Sequence, residues 1–157
     1  MPLSILEQID SSIYSDDMDF SNCLQKQEIL LQEFQALASS DEKFQKVMEL
    51  GRRQPEMPMS DRLDDRLVQG CQSQLYLKVT CDNQLLDIST YSDALISSGL
   101  AYLISFVYSN EPPEAVFKCP PLFIKEIGLL TLLSPSRSNG LSQLYKKLQQ
   151  ETLKWIS

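Results

Sequence analysis

Two short segments of this 157-residue chain carry the side chains best suited to chemistry: Gly70-Cys71-Gln72-Ser73-Gln74 and Ser134-Pro135-Ser136-Arg137-Ser138-Asn139-Gly140. A cysteine attacks as its thiolate, so it needs access for the group it meets and donors that hold the anion. Gly70 lets the backbone turn sharply beside Cys71, Gln72 and Ser73 bring polar groups to it, and Arg137 supplies a cation in the second segment. Each has a plainer reading when taken alone. A single cysteine is commonly a small buried apolar residue, and a single arginine commonly braces a loop at the surface.

The chain contains no histidine. That removes the usual general base, the commonest metal ligand and every Ser-His or Cys-His nucleophile pair. The remaining cysteines, Cys23, Cys81 and Cys119, form no C-x-x-C pair with each other or with Cys71. Neither a zinc ribbon nor a disulfide framework is therefore expected, and no metal site is assigned. Reduced thiols are expected throughout, with Cys81 and Cys119 as structural residues.

The elements that must position these segments come next. The length suits one domain with a single core. A net charge of −7 opposes nucleic acid as a partner, because phosphate binding draws on Lys and Arg; the pairs Arg52-Arg53 and Lys146-Lys147 read as solvated surface. Glu7 and Asp10 interrupt the only apolar stretch near the N-terminus, so no secretory signal is expected. The uncharged run from Ala94 to Asn110 holds four serines and a glycine, which suits a buried helix rather than a membrane span. A cytoplasmic protein without membrane contact is expected.

Residues 1–24, acidic around Asp16, Asp17 and Asp19, read as an N-terminal extension to a domain over 25–157. From Gln27, Leu30, Leu31, Phe34 and Leu37 recur at helical spacing. Ser39 and Glu42 then form a capping box for a second helix that Gly51 is expected to stop. The stretch from Arg52 to Gln69, with Pro55 and Pro58, reads as an exposed loop. Leu75–Thr80 and Leu85–Ile88 are strand-like around an Asp82-Asn83 turn. Ser92 or Asp93 is expected to cap a long helix that buries Ile96, Leu100, Leu103, Ile104 and Val107. Short helical pieces near 114–117 and 123–127 lead to a loop over 133–140 and a last helix with Leu141, Leu144, Tyr145, Leu148 and Trp155 on one stripe. Helices, then a small antiparallel sheet, then helices argue for an α+β fold with helices on one sheet face.

The two chemical segments, with Glu49-Leu50-Gly51, Tyr91-Ser92-Asp93-Ala94 and Gly99-Leu100 at their present separations, resemble the SufE family of sulfur acceptors. The resemblance implies a fold shared with IscU-type scaffold proteins. It also implies Cys71 as an acceptor thiol, supported by Gly70, Gln72, Ser73 and Arg137, with Arg66 and Asp93 facing a partner. That partner would be a SufS-like cysteine desulfurase, which carries the pyridoxal phosphate while this chain carries no cofactor. Sulfur would pass on to an iron–sulfur assembly scaffold. A cluster scaffold and a non-catalytic regulator of the desulfurase are the alternative functions, and a homodimer stays open. The family commonly places Asn five residues before the acceptor Cys and Lys before the Gly-Leu of the long helix; here those positions hold Arg66 and Ser98.

Overall fold

The computed structural model describes residues 19–156. Within them the helices and strands follow in the order α1 (Ser21–Gln35), α2 (Ser40–Arg52), β1 (Leu75–Asp82), β2 (Leu85–Ser92), α3 (Leu95–Tyr108), α4 (Ala115–Lys118), α5 (Phe123–Glu126), α6 (Leu129–Leu132) and α7 (Pro135–Thr152). Single 3-10 turns occupy Met59–Asp61, Asp64–Arg66 and Leu153–Trp155. The expected α+β class is what the chain adopts.

β1 and β2 pair antiparallel from Leu75↔Ser92 to Asp82↔Leu85. Asn83 and Gln84 join them with φ of 51° and 65°, the left-handed pair of a tight hairpin whose twist matches the strands. The turn lies one residue beyond the expected Asp82-Asn83, and both strands run longer. Leu75, Leu77, Leu86, Ile88 and Thr90 are buried, and α3 packs against the hairpin. Val68 N–H donates to the Leu75 carbonyl at 2.8 Å, and Leu67 bridges Tyr76. The chain just before Cys71 thus runs along the free edge of β1.

Helix α2 crosses α3 closely enough to need glycine on both sides. A Cβ at Gly99 would stand 1.9 Å from the Val47 carbonyl oxygen, and one at Gly51 would stand 2.5 Å from the Leu95 oxygen. Gly51 is therefore a crossing residue inside α2, not the stop expected from its type. Ser98 is buried in the same seam and donates to the Gly51 carbonyl at 3.2 Å, so its hydroxyl serves the crossing. The Ser39 cap is as expected, with Glu42 N–H donating to Ser39 Oγ at 3.2 Å.

Four further expectations change. Helix α1 begins at Ser21, and Cys23 is fully buried, so the last residues assigned to the extension belong to the packed body; residues 1–18 lie outside the described residues. The loop over 52–69 is a strap rather than a free loop: Met57 and Val68 are buried, and the Arg62 guanidinium lies 3.7 Å over the Tyr91 ring. Ala94 occupies the N-cap of α3, where Ser92 Oγ accepts from Ala94 N–H at 3.2 Å. Trp155 leaves the α7 stripe for the closing 3-10 turn.

Beneath α1, two groups are held neutral by their surroundings. The hydrogen bond to Cys119, and then burial, push the Cys23 thiol above its ordinary 9.0; burial pushes the Tyr145 phenol above its ordinary 10.0. In the unfolded chain both groups would ionise at their ordinary values, so raised folded values give stability that is complete below those values and lost as pH climbs above them. Thermal midpoints are expected to fall from about pH 8.5 upward, with Cys23→Ala flattening the early part of the decline. A flat profile to about pH 10 would contradict this.

Candidate functional site

Cys71 sits on the short connection between the strap and β1, immediately after Gly70, whose φ of +78° is the left-handed turn that glycine adopts freely. Its sulfur points at α7. Gly140 faces it there: a Cβ on Gly140 would lie 3.0 Å from Cys71 Sγ. The missing methyl group is thus the space in which the sulfur rests.

Inward of the thiol is a small crevice with mainly apolar walls from Leu75, Leu100, Ala101, Leu141 and Leu144. Outward is an open groove along Gly70, Gln72, Pro135, Ser136 and Asn139. Cys71 is half-buried between them, so a modest movement decides whether its sulfur faces hydrocarbon or water.

Three donors from α7 hold the connection down. Asn139 Nδ2 donates to the Gly70 carbonyl at 2.8 Å, Arg137 Nη1 donates to Ser73 Oγ at 2.8 Å, and Lys147 Nζ donates to the Asp65 carbonyl at 2.9 Å. Arg137 also donates to Ser97 Oγ on α3, tying three segments at one guanidinium. Both acceptors are hydroxyls, so the part of Arg137 in this geometry is to pin the loop. At the far side, Gln74 N–H donates to Asp93 Oδ1 at 3.0 Å. Asp93, expected to cap α3, instead anchors the entry to β1, and it stays exposed.

The structure brings Gly70, Cys71, Ser73 and Arg137 together, with Gln72 exposed at the groove. Arg66 stands apart: its Nη1 donates to the Asp61 carbonyl at 2.8 Å, within the strap. Cys81 lies six strand residues beyond Leu75, about 20 Å at the usual rise per residue, too far to resolve a bond to Cys71.

The expected loop over 133–140 is the largest departure. Ser134 caps α7, accepting from Arg137 N–H at 3.3 Å, and Pro135 is its first residue. Ser-Pro at N-cap and N1 is a helix-start signal, and the polar, glycine-containing composition masks it. Once the helix begins there, Arg137, Gly140, Leu141 and Leu144 fall at i, i+3, i+4 and i+7, one face. All four line the Cys71 crevice. Asn139, Gly140 and Ser97 are the site residues that sequence reading does not single out.

A family model described as SufE, Fe-S metabolism associated domain, matches residues 28–152. This chain belongs to the SufE family. The match takes in the Cys71 connection and all of α7 that touches it, and it places the SufE-family chain in iron–sulfur metabolism. A solved structure described as the solution structure of a hypothetical protein from Thermus thermophilus is similar at 24% identity. It covers 82% of this chain and 94% of its own with a TM-score of 0.70, a likeness of fold. Among the described residues no helix is long and apolar enough to cross a membrane.

Proposed function

We propose that this SufE-family chain is a sulfur acceptor that takes sulfane sulfur onto Cys71 from the persulfide of a SufS-like cysteine desulfurase. It stimulates that enzyme by removing its product and passes the sulfur to an iron–sulfur assembly scaffold. The observation that carries this reading is the niche itself: Gly140 leaves room at Cys71 Sγ, on an apolar-walled crevice beside an open groove.

Deprotonated Cys71 attacks the outer sulfur of the desulfurase persulfide. A new S–S bond forms on Cys71, the bond between the two desulfurase sulfurs breaks, and the desulfurase cysteine leaves as thiolate. Charge is conserved and no net oxidation occurs. Nothing in the step calls for histidine, and the pyridoxal phosphate belongs to the partner. Release of the Asn139–Gly70 and Arg137–Ser73 bonds would let the connection extend into the partner's active site, and their reformation would return the loaded sulfur to the crevice, away from stray thiols and oxidants. The reading carries with it a cytoplasmic setting, where thiols stay reduced.

A cluster scaffold needs several converging ligands. Among the described residues no group of three or more Cys, His, Asp or Glu side chains could hold a metal ion, which favours the carrier over the scaffold. Intact-mass spectrometry after incubation with a cysteine desulfurase and cysteine tests the proposal. The wild-type chain is expected to gain one sulfur atom and Cys71→Ser none; a wild-type chain that stays unmodified while stimulating the desulfurase would make it a regulator instead.

A further inference from the structure

Cys23 and Cys119 play no part in the transfer at Cys71, yet the fold brings them together. Cys23 lies in the first turn of α1, and Cys119 ends α4, 96 positions later in the chain. Both are fully buried. Gln27, one turn further along α1, spans the pair: its Nε2 stands 3.3 Å from Cys119 Sγ and 4.0 Å from Cys23 Sγ. The same amide donates to the Pro120 carbonyl at 3.0 Å, and its Oε1 accepts from Phe123 N–H at 3.3 Å. Tyr108 fixes the other side, donating to the Cys119 carbonyl at 2.7 Å. Each thiol lies within the other's influence, Cys119 being the main cause of the raised Cys23 value, and both are reduced.

We infer that Cys23 and Cys119 form a redox-sensitive staple, a dithiol that closes to a disulfide under oxidising conditions and clips α1 onto the α4–α5 connection. The oxidant is a low-molecular-weight disulfide. Cys23 is within a helix's first turn, so fraying of that turn exposes it without global unfolding. Its thiolate attacks the small disulfide and releases one thiol; when the turn re-forms, the Cys119 thiolate attacks Cys23 Sγ and releases the second. The cysteine pair loses two electrons and two protons, and the small disulfide is reduced to two thiols. Cys119 beside it, and then burial, push the Cys23 thiol up, so attack by Cys23 is slow and requires opening first. A bond across roughly 100 residues restricts the unfolded chain strongly, and one glutamine amide already reaches both sulfurs in the folded chain.

The test uses the full chain with Cys71→Ser and Cys81→Ser, which leaves Cys23 and Cys119 as its thiols, incubated with oxidised glutathione. The expected product has lost two hydrogen atoms, retains no glutathione and yields one peptide pair cross-linked through Cys23 and Cys119. Dithiothreitol is expected to reverse it and lower the thermal midpoint by roughly 5–10 °C. Two alkylatable thiols after unfolding, a lasting glutathione adduct on either cysteine, or an oxidised form no more stable than the reduced one would each overturn the inference. Should the double variant not fold, the same peptide mapping on the wild-type chain decides between these outcomes.

Discussion

Gly99→Ala is expected to cost about 3 kcal/mol or more, a large part of the stability of a domain this size. The added methyl would meet the Val47 carbonyl oxygen at 1.9 Å and its carbon at 2.7 Å. Both are backbone atoms, so no rotamer change can relieve the contact, and α2 must move off α3 as a body. Val47, Leu50, Leu100, Leu103 and Ile104, all buried, would then lose packing with it. Helix propensity works the other way, since alanine gains up to about 1 kcal/mol over glycine inside a helix, but the clash outweighs it. Urea unfolding measures the outcome. Gly51→Ala faces the Leu95 oxygen at 2.5 Å and should cost less. Because both changes demand the same separation of the same helices, the double variant is expected to lose less than the two losses added. A shift of less than about 1 kcal/mol for Gly99→Ala would mean that the crossing yields easily.

Gly140→Ala is expected to behave in the opposite way: little change in stability and a large change at the thiol. Here the atom met is Cys71 Sγ at 3.0 Å, the end of a side chain on a connection that can shift. The helix gains from the exchange of glycine for alanine, and the sulfur is displaced toward the groove. Alkylation of Cys71 by iodoacetamide should accelerate by about tenfold, corresponding to about 1.4 kcal/mol of lost shelter. A persulfide loaded on Cys71 should be lost to added thiol correspondingly faster. Equal alkylation rates in wild type and variant would show that the niche does not shelter the sulfur. Gly99 and Gly140 thus separate the fold from the site, although both are glycines within helices.

Those two residues also mark how far the sequence can be read. The α+β order, the hairpin, the Ser39 cap and the long buried α3 follow from periodicity and turn chemistry, which act locally. Gly51 reads as a stop because glycine after an apolar run is also what ends a helix; the Leu95 carbonyl that requires it lies 44 positions away. The start of α7 is local and legible in Ser134-Pro135, but serine, asparagine and glycine in the next turn resemble a loop when their partners are unknown. Asn139 is there for the Gly70 carbonyl and Gly140 for the Cys71 sulfur, neither of which a helical pattern can encode. Cys71 itself stands out through its neighbours and the family resemblance. Its crevice, assembled from β1, α3 and α7, exists only in three dimensions.

Arg137, Asn139 and Lys147 hold the Cys71 connection and the strap before it from a single helix. Their grips are consequently not independent. Weakening one leaves the others to keep the connection in register, so the closed state tolerates thermal agitation of any one side chain. Sliding or tilting α7 by about an ångström strains all of them together, and packed interfaces give way between discrete arrangements rather than by degrees. Release of the whole connection is thereby expected as a single step coupled to displacement of α7.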